Sequence, residues 1–182
     1  MSEIRGEYVA VREGAECLYP SEVVQVAVEQ MAHSIRADYE DLDPLVLCVM
    51  VGGLRITSDL LAHLDFPLEL DYLQVSRYRD QTRGGTLDWR RYPGMDLRGR
   101  EVVIVDDILD EGVTLAAIRQ HCEDVGAASV ATAVLVDKQV PQRTLEADYR
   151  ALSAPNRYLF GEGMDYKGYG RNLRGIWAVA GA

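Results

Sequence analysis

Three apolar runs decide what this chain can become: Leu45 to Val51, Val102 to Val105 and, interrupted only by Thr132, Val130 to Val136. Each has the length of a strand, and none alternates with polar residues as a half-solvated strand would. A strand that is apolar on both sides must be covered on both faces, which is the condition of a mostly parallel sheet between helices. The intervening segments supply those helices. Val24, Ala27, Val28, Met31 and Ile35 recur at helical spacing behind a Ser21 able to cap the first turn. Leu54, Leu60, Leu61 and Leu64 suggest a helix to about His63, and Leu115, Ile118, Cys122 and Val125 form the buried stripe of another. Leu68 to Val75 and Ile176 to Val179 read as further strands. The expected fold is α/β: an open, mostly parallel sheet flanked by helices, with its ligand crevice at the carboxyl ends of the strands.

One domain is expected across residues 1–182, since no repeat, linker or low-complexity tract divides them. The segment Ser76 to Arg98 differs in kind. It is polar, carries Gly84-Gly85 and Pro93-Gly94, and holds arginines at 77, 79, 83, 90 and 91. So long a loop within a compact domain is usually functional, and Thr86, Leu87, Trp89 and Tyr92 could pair as a hairpin flap. With 19 Lys plus Arg against 29 Asp plus Glu, the net charge of −10 disfavours a nucleic-acid or membrane-surface binder. An anionic small substrate needs only a few local donors and stays open. Cys17, Cys48 and Cys122 are odd in number and widely spaced, which predicts reduced thiols, and no apolar h-region opens the chain; a cytoplasmic location is expected. His33, His63 and His121 lack metal-ligand spacing.

The most informative stretch runs from Val102 to Leu115, VVIVDDILDEGVTL. A buried strand delivers Asp106 and Asp107 to the sheet edge, and a turn through Gly112 then opens a helix. Such a turn presents successive backbone N–H groups, a ready cradle for phosphate. Neither a Walker motif nor a G-x-G-x-x-G occurs. Four carboxylates beside a phosphate cradle must face something other than phosphate: sugar hydroxyls, a metal, or a base needing a proton partner. The bland alternative makes Asp110 and Glu111 helix caps and leaves Asp106 and Asp107 solvated.

This stretch is similar to the phosphoribosyl pyrophosphate (PRPP) signature of the type I phosphoribosyltransferases, two acids followed by Asp, a small hydroxyl residue, Gly and Thr. From about Leu45 to Val179 the chain resembles the 6-oxopurine branch of that family, the hypoxanthine-guanine phosphoribosyltransferases. The resemblance implies transfer of phosphoribosyl from PRPP to free hypoxanthine or guanine, giving IMP or GMP and pyrophosphate. It also implies Mg²⁺ as cofactor and a homodimer or homotetramer.

What the resemblance implies can be laid onto positions. Asp106 and Asp107 would accept hydrogen bonds from the ribose hydroxyls. Asp110 would sit near N7 of the purine as general acid and base. Glu111, Gly112, Val113 and Thr114 would wrap the 5′-phosphate, with Glu111 departing from the usual Ser or Thr and turning outward. Val51, Gly52 and Gly53 would form the pyrophosphate loop behind a cis Met50–Val51 peptide, Val51 replacing a Lys of some relatives. Lys138 would donate to the purine 6-oxo group, Tyr158 would stack on the base, and Leu159 would offer backbone groups to its edge. Asp165, with Asp106 and Asp107, would hold Mg²⁺, and Arg171 would grip pyrophosphate. Ser76 and Tyr78 would start a mobile catalytic loop at about 76–98, and a small hood would combine the N-terminal segment with about 150–182. From the residues alone, Gly52-Gly53 could be an ordinary turn, Lys138 an exposed strand-end lysine, Tyr158 a core aromatic and Arg171 half of a surface ion pair. Rival functions are transfer to xanthine or adenine, the latter disfavoured by Lys138, and a non-enzymatic PRPP-sensing regulator. A phosphorylation receiver would place its paired acids near the chain start, the wrong order here.

Overall fold

Within each apolar run, successive side chains point to opposite faces, and that alternation assembles the core. A computed structural model describes residues 3–77 and 87–181. In chain order it begins with helix α1 (Glu3–Gly14), strand β1 (Glu16–Tyr19), helix α2 (Ser21–Tyr39), strand β2 (Leu45–Met50) and helix α3 (Leu54–Leu61). Strands β3 (Glu69–Arg77), β4 (Leu87–Arg91) and β5 (Glu101–Leu109) follow, then helix α4 (Val113–Asp124). Strands β6 (Ser129–Gln139), β7 (Tyr149–Pro155), β8 (Leu159–Phe160) and β9 (Ile176–Ala178) complete the chain.

Six strands form the main sheet in the order β4-β3-β2-β5-β6-β7, parallel except for β4. Val46, Val103, Val105, Ala133 and Leu135 face one side, where Val28, Met31 and Ile35 of α2 and Ile56 and Leu60 of α3 cover them. Leu45, Leu47, Val102, Ile104 and Val134 face the other, under Leu115, Ile118 and Cys122 of α4. The expected mostly parallel sheet covered on both faces is therefore what forms. A second sheet, β1-β9-β8, is antiparallel, and Ile176, Ala178 and Leu159 carry its inner face into the first of these clusters. Tyr19 ties it to β7 by donating its hydroxyl to the Ser153 carbonyl at 2.5 Å.

Several boundaries differ from the sequence reading. Ser21 is not the cap of α2: Pro20 holds that position with extended backbone, and the Ser21 hydroxyl instead accepts from Arg174. The strand expected to end at Val105 continues four residues to Leu109, because β6 pairs with it through Leu109↔Asp137 and satisfies backbone groups that local sequence cannot. Val125 is exposed at the end of α4 rather than part of its buried stripe. α3 stops at Leu61, two residues early; β9 ends at Ala178; and Tyr92 lies just beyond β4. Helix α1 buries none of its residues fully, and its attachment is specific instead. Glu7 accepts from Tyr166 at 2.7 Å and from Lys167 at 2.6 Å, and Tyr8 stacks on Tyr169.

The described residues 87–98 pack Leu87, Trp89, Met95 and Leu97 on the core and are also tied to it by a buried acid. Asp71 of β3 accepts from the amides of Tyr72 (2.7 Å), Gly94 (2.5 Å) and Met95 (2.9 Å) and from Arg91 (3.1 Å), so it caps the Pro93-Gly94 turn. Burial alone would raise its pKa, but these donors outweigh burial and hold the carboxyl below its usual range. The folded value is depressed, so the stabilisation it brings is complete above the unfolded value of about 4 and is lost as pH falls through the lower folded value. Asp71→Asn is therefore expected to lower the urea midpoint at neutral pH, by a margin that closes as both proteins are taken below about pH 4. A margin unchanged into strong acid would contradict this.

Candidate active site

The carboxyl ends of β2, β5 and β6 lie at one edge of the sheet, and their registers bring three turns together. A cleft of about 410 Å³ opens there, within the range of small-molecule sites. Val51, Gly52, Asp106, Asp107, Asp110, Gly112, Thr114, Lys138, Tyr158, Leu159, Asp165 and Arg171 all line it. Four other residues singled out in the sequence do not. Gly53 sits behind the turn as the N-cap of α3, Glu111 and Val113 are exposed outside the cleft, and Ser76 donates to Asp88 across the β3–β4 pair. Tyr78 lies outside the described residues.

Asp106 and Asp107 are not solvated strand-end acids; they are consecutive residues inside β5. The Asp107 amide donates to Asp106 Oδ1 at 2.9 Å. The Asp106 carboxyl is held well above the usual range, first by burial and then by the charge of Asp107. Asp107, 8% exposed, is also raised by burial, against the pull of Arg171 3.8 Å away. Among the described residues Arg171 alone pairs with the two acids, and it is also engaged with Asp165 (2.5 Å) and with the Gly163 carbonyl (2.6 Å).

Two glycines let backbone come close. At Gly52 a Cβ would fall 2.1 Å from Asp107 Oδ2, so any side chain there would displace the acid. The Met50–Val51 peptide before it is cis, at the bond the resemblance indicated. Gly112 caps α4 at φ 82°, a left-handed conformation that turns the chain from Asp110 and Glu111 into the helix. The helix start therefore faces the cleft with backbone N–H groups around Gly112 and Thr114, the arrangement that suits a phosphate.

Lys138 is the clearest departure from a bland reading. It lies within β6 rather than beyond it, is 8% exposed, and its Nζ meets Asp110 Oδ2 at 2.9 Å. Tyr158 lines the cleft and is 42% exposed, its ring edge-on to Tyr166 at 5.3 Å. Sequence reasoning missed Glu162, 3% exposed, which accepts from the Gly175 amide at 2.7 Å and lies 3.6 Å from Arg55. It clasps the loop bearing Asp165 to the loop after Arg171. The glycines around it, 161, 163, 170 and 175, were the available signal. Also missed were Arg157 and Met164, which line the cleft without belonging to a motif.

Comparison with known proteins agrees with this geometry. The phosphoribosyl transferase domain family matches residues 16–167. A hypoxanthine-guanine-xanthine phosphoribosyltransferase of Tritrichomonas foetus is 32% identical over 158 residues, 86% of each chain. A hypoxanthine-guanine phosphoribosyltransferase of Streptococcus pneumoniae is 33% identical over 149 residues, 81% of this chain and 83% of its own. The crystal structure of a hypoxanthine phosphoribosyltransferase from Staphylococcus aureus superposes with a TM-score of 0.87, covering 93% of this chain and 94% of the other at 25% identity. The fold and the acid-lined cleft thus define an enzyme scaffold of the type I phosphoribosyltransferase kind. This chain belongs to the phosphoribosyltransferase family.

The buried acid pair makes a prediction of its own. A carboxyl raised on folding favours the folded state only while protonated, so ionisation of Asp106 costs the ligand-free protein stability as pH rises above the unfolded value of about 4. Asp106→Asn is expected to raise the thermal midpoint of the ligand-free protein at neutral pH by at least about 2 °C, with the gain fading in acid. A lowered midpoint would show that Asp106 stabilises the fold instead.

Proposed function

We propose that the chain transfers the 5-phosphoribosyl group from PRPP to a free 6-oxopurine, hypoxanthine or guanine, releasing pyrophosphate and giving IMP or GMP, in purine salvage. The observation that carries this is the juxtaposition, in one cleft, of an acid pair, an N–H-lined turn and a buried lysine. Asp106 and Asp107 offer only acceptors, which suits the two ribose hydroxyls. Gly112 and Thr114 offer donors to the 5′-phosphate, with Glu111 and Val113 contributing backbone from outside the cleft. Val51, Gly52, Gly53 and Arg171 border the pyrophosphate. On the other side Lys138 donates to the 6-oxo group, Tyr158 stacks on the base and Leu159 meets its edge.

Asp110 is the catalytic residue in this reading, exchanging a proton with purine N7. Its ion pair with Lys138 holds both side chains at the base site before substrate arrives. A 6-oxo group gives Lys138 an acceptor to turn to, whereas an adenine amino group does not, which favours 6-oxopurines over adenine. The transition state gathers negative charge on the departing pyrophosphate, and Arg171 lies where it can meet that charge. Its present partner Asp165 is then released. The overall charge of −10 disfavours the alternative of an RNA-binding regulator.

Among the described residues no three ligating side chains converge to hold a metal ion by themselves. That fits Mg²⁺, which favours one or two carboxylates together with water and substrate phosphates over an all-protein cage. Asp106, Asp107 and Asp165 do not converge as one ligand set, so Asp165 would hold it together with water and the diphosphate, and when bound it would neutralise charge on the leaving diphosphate. Among the described residues no helix is long and apolar enough to cross a membrane. The reading includes a cytoplasmic enzyme and a homodimer or homotetramer, for which exposed Leu54, Leu70 and Tyr72 offer apolar surface.

The test is nucleotide formation from PRPP, Mg²⁺ and each of hypoxanthine, guanine, xanthine and adenine. Hypoxanthine or guanine should be converted, and adenine should not. Asp110→Asn should slow turnover by at least about 100-fold, the usual size of a general acid–base contribution, with little change in PRPP affinity. Turnover undiminished in that variant would remove Asp110 from its role.

A further inference from the structure

The loop after β6 carries no motif and donates no side chain that the proposed reaction needs, yet it touches both halves of the cleft. Thr144 gives two hydrogen bonds to one acceptor, the Glu111 carbonyl: its amide at 2.9 Å and its hydroxyl at 2.8 Å. The next residue, Leu145, packs so closely that a Cβ on Gly112 would meet it at 3.1 Å. The phosphate turn is thus held from outside by residues 144 and 145. The residue before them faces the other way. Arg143 donates to the Lys138 carbonyl and pairs with the buried Asp137 at 2.7 Å, its own side chain only 16% exposed. Lys138 in turn reaches Asp110 at 2.9 Å, one residue before Glu111. Chain and hydrogen bonds close a ring: Lys138, Asp110, Glu111, Thr144, Arg143, and back to Lys138.

We infer that Arg143 and Thr144 are positioning residues that hold the base lysine and the phosphate turn at fixed separation, Arg143 acting through Asp137 and Lys138 and Thr144 through Glu111. The physical argument is one of rigidity. Lys138 is the last but one residue of β6, where a strand end would otherwise fray, and its backbone is braced by Arg143, whose Nη2 meets both the carbonyl and the Asp137 carboxylate while Nη1 is held by Glu146. The two Thr144 bonds fix the Glu111 carbonyl in the turn into α4, and with it the orientation of the N–H groups beside it. A misplacement of either group by a fraction of an ångström weakens its substrate contact without altering the chemistry. The two residues are adjacent, so the sites for two different substrates share one brace.

This inference rests on the functional reading above, and the experiment separates the two. Arg143→Ala strips Asp137 of its nearest partner and can unfold the strand end, so Arg143→Lys is the informative variant: it keeps the charge but lacks the rigid fork that fixes Nη2 at the two acceptors while Nη1 holds Glu146. Its KM for hypoxanthine should rise about fivefold to tenfold, the worth of one hydrogen bond to a positioned group, with kcat and KM for PRPP within about twofold. Thr144→Val keeps the shape and loses the hydroxyl, and should raise KM for PRPP about fivefold while leaving that for hypoxanthine in place. Thr144→Ser should restore it. Absence of transfer by the unmodified enzyme with any 6-oxopurine would sink the reading and this inference with it. Normal transfer by the unmodified enzyme, with constants unmoved in both variants or with both KM values moving together, would overturn the inference alone.

Discussion

Two neighbouring carboxylates in the middle of a buried strand are the constraint around which the rest is arranged. At a separation of about 4 Å and an effective dielectric of about 20, two like charges repel by about 4 kcal/mol, before any cost of burial. A chain seeking only stability would not keep Asp106 and Asp107 where they are. Among the described residues Arg171 is the cation that pairs with them, 3.8 Å from Asp107 while engaged with Asp165. The cleft is therefore left with acceptors in excess, a state that a diol can relieve by donating two hydrogen bonds and a divalent cation by supplying charge.

The fold makes that arrangement tolerable by making everything around it rigid. β5 lies between β2 and β6, so the acids ride on a central strand of the sheet, with Val103 and Val105 packed on one face and Val102 and Ile104 on the other. Gly52 leaves room for the Asp107 carboxylate, and the β5 extension to Leu109 carries the pair to the cleft instead of ending beneath it. The opposite wall is built differently. It is a run of turns from Gly161 to Gly175 braced by buried Glu162, by the Arg171 bonds and, from outside, by Glu7 and Tyr8 of α1. The acid pair thus sits on a central strand, and Arg171 faces it from a wall of turns.

Much of this was legible in the chain. The three apolar runs fixed the parallel sheet because no other structure covers both faces of such strands, and the VVIVDDILDEGVT stretch marked the cleft because acids beside an N–H-rich turn have few other uses. What escaped was whatever depends on partners distant in sequence. The four-residue extension of β5 is stabilised by β6, and β7 reads as polar because only Ala154 among its residues is fully buried. α1 is fastened by polar and aromatic contacts with residues some 160 positions away, which leave no periodic apolar stripe. Lys138 read as a strand-end lysine because its burial comes from packing, not from its neighbours in the chain. Arg143, Thr144 and Glu162 follow the same rule: each acts through a backbone group elsewhere.

In the proposed reaction the acid pair and the turn through Gly112 seat an activated ribose, hydroxyls toward carboxylate and phosphate toward amide. Titration calorimetry of the protein with PRPP in the presence of Mg²⁺ addresses this without requiring turnover. The account expects saturable association with one PRPP per chain, abolished in Asp107→Asn although that variant remains folded. No heat of association with the unmodified protein, or undiminished binding by Asp107→Asn, would contradict it.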